Sequence, residues 1–228
     1  MTAATAGVVV LLVVLNLATN VWWPRAYLAV CIGGAAALLA IGRLEGLTWT
    51  DMGLGRTAVL AGLLWGLGAV AVVGVGYLAV GAVPAGRRLL HDDRAPAAWR
   101  PLFYRAVLHV PLGTVLLEEV AFRGVLLGLV AKEHGMVVAV VVSSVLFGLW
   151  HVLPTIEAMR SSTVVATAMG GRGPLRAVLA AVAFTAAAGI LFSWLRVVSG
   201  SLLAPAGLHV ATNSGGYLAG FLVRPRAR

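Results

Sequence analysis

The sequence predicts an all-α protein, a polytopic transmembrane helical bundle of about seven spans, with eight as the alternative count. Three observations predict it. The first is composition: 61% of the 228 residues are hydrophobic and only 11% are charged, where a soluble domain carries roughly 25% charged residues. The second is the recurrence of uncharged runs close to the roughly 20 residues that cross a bilayer core. The third is the concentration of arginine in the connections between those runs, which is how membrane topology is set. Together they exclude a soluble globular domain.

The expected spans are residues 7–22, 26–42, 58–83, 102–130, 136–153, 175–198 and 202–223. Residues 1–7 carry no basic stretch, so the first run is expected to stay as a span rather than leave as a signal peptide. It ends at Trp22-Trp23, as an interfacial aromatic belt would. The connection 43–56, with Glu45, Trp49 and Asp51, is expected to lie along the interface. The third run holds Gly62 and Gly66 in a spacing that permits close helix packing. The most polar connection is 84–100, with Arg87, Arg88, His91, Asp92, Asp93, Arg94 and Arg100. Span 102–130 would be about 43 Å long as a straight helix. It must therefore tilt, kink or begin in the interface, and Pro111 is the expected kink. No internal repeat or linker is visible. The chain divides into residues 1–101, N-terminal helices plus the polar connection, and residues 102–228, which hold the chemistry-bearing motifs.

The formal net charge is +9, and sixteen of the seventeen basic residues are Arg. Their place in short loops points to topology and anionic headgroups, not to nucleic acid. With seven spans, Arg43, Arg56, Lys132 and Arg196 fall on one side, and eleven Arg fall on the other. The positive-inside rule then puts the C-terminus in the cytoplasm. The arginine-rich, lysine-poor, Ala/Val/Gly-heavy composition points to a GC-rich bacterial genome and a plasma membrane. Cys31 is the only cysteine, which excludes an intrachain disulfide and a cysteine-based metal cluster; it is expected to be a small packing residue.

Three polar clusters interrupt the C-terminal spans. Glu118-Glu119-x-x-x-Arg123 puts two carboxylates at membrane depth, where an unpaired charge costs several kcal/mol. Glu119 and Arg123, four apart on a helix, share a face. Glu118 is rotated by about 100° and is free to face another helix. Phe147-x-x-x-His151 follows Ser143 and Ser144. His209-x-x-x-Asn213 again sets two polar side chains on one face. Each cluster alone also reads as structural glue between helices. Together they offer carboxylates, two imidazoles and an amide to one membrane cavity, which is a hydrolytic set. His109 and His134 are expected to be peripheral, and Glu157 and Arg160 to form a surface pair or a gate over the site.

The runs Glu-Glu-Val-Ala-Phe-Arg-Gly, Ser-Ser-Val-Leu-Phe-Gly-Leu-Trp-His and His-Val-Ala-Thr-Asn, in this order, resemble the CPBP family. That family comprises type II CAAX prenyl endopeptidases and bacterial bacteriocin-processing and abortive-infection relatives, and its members are intramembrane proteases. The resemblance covers about half the chain and leaves the first three spans without a motif. It implies an endopeptidase acting on a membrane-associated protein or peptide. It further implies Glu118 as the base, His151 sharing the water, His209 and Asn213 as oxyanion donors, and Glu119, Arg123 and Phe147 in support. The family has been described both as metal-dependent and as metal-free. A Zn ion, if present, would take Glu118, His151 and His209, although no His-Glu-x-x-His motif occurs; the expectation is metal-free. Two other readings remain open, a non-catalytic scaffold or immunity protein of the same fold and a proton-coupled transporter.

Overall fold

The computed structural model describes residues 2–92, 95–161 and 174–224. Asp93, Arg94, Arg172, Arg226 and Arg228, which entered the charge argument, lie outside the described residues. Every regular element among the described residues is helical. We label the helices α1 (Ala3–Leu17, continued by a wide turn Ala18–Trp22), α2 (Tyr27–Leu44), α3 (Val59–Ala82) and α4 (Pro84–Leu90). Then come α5 (residues 99–134), α6 (Met136–Trp150), α7 (Val152–Ser161), α8 (Pro174–Ser199) and α9 (Leu203–Val223). The protein is an all-α polytopic bundle and an integral membrane protein.

Five stretches are long and apolar enough to cross a membrane: Ala3–Trp22, Pro24–Leu44, Arg56–Ala82, Met136–Arg160 and Pro174–Ser199. The other two expected spans, α5 and α9, are also long helices. They fall short in apolarity because they carry Glu118, Glu119 and Arg123 in one and His209 and Asn213 in the other. The deficit therefore marks the two helices that hold the polar clusters.

Helix α5 is not one straight rod. Its α-helical pieces Trp99–Phe103, Leu116–Glu118 and Leu127–His134 are joined by π-helical stretches Tyr104–Val115 and Glu119–Leu126. The first contains Pro111, which cannot donate to a regular ladder. The second begins at Glu119 itself, and π-helical turns recur at functional sites. Residues 117–130 are buried on every face, so α5 is the central helix. The hydrophobic core forms around it, from Val8 and Leu12 of α1 through Leu38 of α2 to Phe192 and Leu208.

Small residues let backbones approach the central helices, as packing in lipid favours. A Cβ at Gly66 would come 2.9 Å from the Leu203 carbonyl oxygen, and one at Gly207 would come 2.8 Å from Gly66 Cα. Helix α9 is thereby pressed along α3. A Cβ at Gly189 would stand 3.0 Å from Ser144 Cα, which binds α8 to α6.

Connection 43–56 is mostly exposed but packs onto the bundle at two residues. Leu47 is 1% exposed and Met52 is wholly buried, because Gly42 and Gly128 leave room for their side chains and Gly124 for the Met52 carbonyl. Gly53, at φ 76°, lies against the Arg196 guanidinium, and Arg196 Nη2 donates to the carbonyls of Thr50 at 3.1 Å and Asp51 at 2.9 Å. The Thr48 hydroxyl and backbone N–H both donate to Asp51 Oδ2 at 2.7 Å, holding that carboxyl below the ordinary carboxylate range. The segment is a plug closing one end of the bundle. At that same end Lys132 Nζ donates to the Glu45 carbonyl at 3.0 Å, and Glu133 accepts from the Thr2 backbone N–H at 3.1 Å. At the opposite end Arg224 donates to the Ala95 carbonyl at 3.1 Å. The polar segment 84–100 is likewise not all loop: Pro84, at a first helical position that suits its fixed φ, starts α4.

Candidate active site

Glu118, Glu119, Arg123 and His209 form one buried cluster, none of them more than 5% exposed. Glu119 Oε1 lies 3.4 Å from Arg123 Nη1. The same oxygen lies 2.7 Å from His209 Nδ1; with Glu119 ionised it accepts, and Nδ1 carries the proton. The other ring nitrogen, Nε2, lies 3.6 Å from Glu118 Oε2, beyond hydrogen-bond range. His209 therefore stands between the two carboxylates. Glu118 and Glu119 keep separate partners, Trp150 for one and Arg123 for the other, as the 100° step suggests, yet both also face His209. The change from α- to π-helical pairing falls between them, and α9 supplies one imidazole that reaches both.

Arg123 has no exposed surface. Its guanidinium carbon lies 3.9 Å from the centre of the Phe147 ring and 4.8 Å from that of Phe192. The two rings give the cation an aromatic enclosure, which explains why Phe147 sits four residues from His151. Two carboxylates thus face one guanidinium and one imidazole, a charge-balanced set when the imidazole holds both protons. Glu118 Oε2 and Glu119 Oε2 are buried and have no hydrogen-bond partner among the described residues.

His151 and Asn213 stand differently. His151 occupies the break between α6 and α7. Its Nδ1 is 2.8 Å from the Phe147 carbonyl, and its ring packs edge-on to Phe147 with centroids 4.7 Å apart. The structure gives it no direct contact with Glu118. Asn213 lies one turn beyond His209 on α9, half-buried. Ser143 on α6 donates to the Phe122 carbonyl at 2.8 Å, tying α6 to the second π-helical stretch of α5.

Among the described residues, no group of three His, Cys, Asp or Glu side chains is arranged to hold a metal ion. In the Glu118, His151 and His209 set, His209 Nδ1 is bonded to Glu119, its Nε2 faces Glu118 beyond hydrogen-bond range, and the His151 Nδ1 lies on the Phe147 carbonyl. As arranged, these residues do not fit a zinc ion.

The residue that touches Glu118 from α6 is Trp150, not His151. Its indole Nε1 donates to Glu118 Oε1 at 2.9 Å. Asn16 on α1 in turn donates from Nδ2 to the Trp150 carbonyl at 2.8 Å. Neither residue stood out in the sequence. The available signals were an indole N–H that needs a partner when buried and a lone amide inside an apolar span. Tyr27 on α2 also approaches from the first spans, donating to or accepting from Thr114 at 2.9 Å and stacking on His109 with centroids 4.6 Å apart. His134 is peripheral, 3.4 Å from Glu133.

A family model described as type II CAAX prenyl endopeptidase Rce1-like matches residues 99–215, just over half of the chain. The match spans all three polar clusters. No curated protein and no solved structure matches the chain.

Proposed function

Because the chain belongs to the type II CAAX prenyl endopeptidase Rce1-like family, a peptidase family, we propose that it is an intramembrane endopeptidase whose hydrolytic water is activated by Glu118. The observation that carries this reading is the free Oε2 of Glu118. It is a buried acceptor with no partner among the described residues, facing His209 Nε2 across 3.6 Å. A buried acceptor beside a second polar atom is a place where water is held.

In the proposed reaction, Glu118 Oε2 takes a proton as the water oxygen bonds to the scissile carbonyl carbon. The negative charge on the carbonyl oxygen meets N–H groups from α9, the Asn213 amide and, with the imidazole holding both protons, the His209 Nε2–H. The C–N bond then breaks as Glu118 returns its proton to the leaving amine. Glu119 orients His209 through Nδ1, and Arg123 balances Glu119. His151, with Nδ1 committed to the Phe147 carbonyl, offers Nε2 to the water or to the substrate backbone. The substrate is a hydrophobic peptide or the terminus of a membrane protein, reached within the bilayer. The functional test compares the membrane proteomes of cells carrying the wild type and Glu118→Gln. New protein termini found only with the wild type support proteolysis; identical termini reject it.

The mechanism needs no metal, since a carboxylate and an imidazole suffice to move the proton. Treatment with a strong chelator is expected to leave the cleavage rate of the purified protein unchanged. Stoichiometric zinc whose removal and return track activity would reverse this part of the proposal.

We also propose that the C-terminus is cytoplasmic in a bacterial plasma membrane. The end of the bundle that gathers Thr2, Glu45, Lys132 and Arg196 is poor in basic residues, and Arg196 is engaged with the plug. The opposite end carries Arg25, Arg87, Arg88, Arg100 and Arg224, as the positive-inside rule asks of a cytoplasmic face. A phosphatase or fluorescent reporter fused to the C-terminus is expected to give the cytoplasmic signal; the opposite signal would invert the topology.

A further inference from the structure

Glu118 has one oxygen bound and one free, and the bound one is held by a residue to which the motifs assign no role. We propose that Trp150 is a positioning residue for the reaction: its indole N–H clamps Glu118 Oε1 so that Oε2 stays turned toward His209. The proposal rests on the reading of Glu118 as the base.

Among the described residues, Trp150 Nε1 is the only hydrogen-bond donor to the Glu118 carboxylate, at 2.9 Å. A carboxylate on a side chain with three torsions samples several orientations unless a donor selects one. In an apolar enclosure the indole–carboxylate bond is charge-assisted and correspondingly strong. The indole is itself fixed from two sides. Its ring meets Phe122 edge-on with centroids 5.6 Å apart, and Asn16 holds its backbone carbonyl at 2.8 Å.

The outer side of the ring borders an apolar groove of about 250 Å³ between α1 and α6, lined also by Leu12, Val13, Leu146 and Leu149. The bond to Glu118 is therefore the polar contact that orients the ring within its packing. A residue that merely filled space would not need an N–H aimed at the Glu118 carboxylate.

The test replaces the N–H while keeping the ring. Trp150→Phe and the isosteric benzothienyl-alanine at position 150, which puts sulfur in place of the N–H, are each assayed with a peptide that the wild type cleaves. Loss of a hydrogen bond to a charged group predicts a fall in kcat of about ten- to a hundredfold with KM changed by less than about threefold. The thermal midpoint of the benzothienyl variant should stay near that of the wild type. A kcat within about threefold of wild type in the isosteric variant overturns the proposal, as does a loss confined to KM.

A second arm is independent of turnover. Ultraviolet resonance Raman spectra of the wild type minus Trp150→Phe isolate the Trp150 indole and report whether its N–H is bonded. The N–H band is expected to shift to that of a free indole in Glu118→Ala. An unshifted band rejects the clamp. A protein that shows the shift but cleaves nothing keeps the clamp and rejects the protease reading instead, so the two failures are distinct.

Discussion

Glu118→Gln is expected to abolish peptide cleavage while the protein stays folded and keeps its place in the membrane. The substitution preserves the shape of the side chain and leaves Oε1 able to accept from Trp150 Nε1. What it removes is the acceptor for the water proton. General base catalysis contributes about 10²- to 10⁴-fold, and here the same group returns the proton to the leaving amine, so both halves of the reaction are lost. A fall in kcat of at least about 10³-fold is therefore expected. The measurement is peptide hydrolysis by purified protein in lipid nanodiscs, paired with circular dichroism and a thermal midpoint. Activity within tenfold of wild type would sink the assignment. A scaffold or immunity protein of the same fold would instead keep its cellular phenotype in the Glu118→Gln form, which separates the two readings.

The largest loss of stability is expected from Arg123→Met. Among the described residues Arg123 is the one guanidinium against the Glu118, Glu119 and His209 group, wholly buried and 3.4 Å from Glu119. Breaking a buried ion pair from one side leaves the other charge uncompensated and costs about 3–5 kcal/mol. The lost contact with the Phe147 and Phe192 rings adds about 0.5–2 kcal/mol. Both penalties fall on the central helix. The double variant Arg123→Met, Glu119→Leu is expected to regain much of the stability, because replacing both members of a buried pair by apolar groups is often near neutral. It should not regain activity, since His209 Nδ1 loses its acceptor. Unfolding midpoints in a mixed-detergent titration, read beside hydrolysis rates, check both statements. An unchanged midpoint for Arg123→Met would show that the pair is not structural. Glu119 therefore carries two tasks, and Glu119→Gln should lower both stability and turnover.

Much of this site is legible in the chain. Eight acidic residues in 228 make two adjacent glutamates inside an apolar run conspicuous, because the cost of burying charge is large enough to exclude accident. The i, i+4 spacing of Glu119 and Arg123 anticipates their 3.4 Å approach. The helical spans follow from apolar length, and all seven expected runs match helices to within about four residues. Where the reading falls short, it does so at particular residues. The burial of Leu47 and Met52 does not show in connection 43–56 itself, because it depends on glycines at 42, 124 and 128 that lie on helices. Trp150 reads as an apolar neighbour of His151, because an indole at a span end looks the same whether it meets lipid or a carboxylate.

The sequence by itself determined that this is a helical membrane protein with its charge and its imidazoles collected in the C-terminal half. Those properties follow from composition and from local periodicity, which are sums over single residues and near neighbours. Only the tertiary structure decided which groups meet: His209 between Glu118 and Glu119 across about 90 residues of chain, Arg123 between two phenyl rings, and Trp150 in the place expected of His151. The physical reason is that helix phase accumulates. A regular step places residues one turn apart, but the π-helical stretches of α5 change that step, and the approach of α9 is set by glycine contacts with α3. Partners on different helices are chosen by packing, and packing is not written in any one segment.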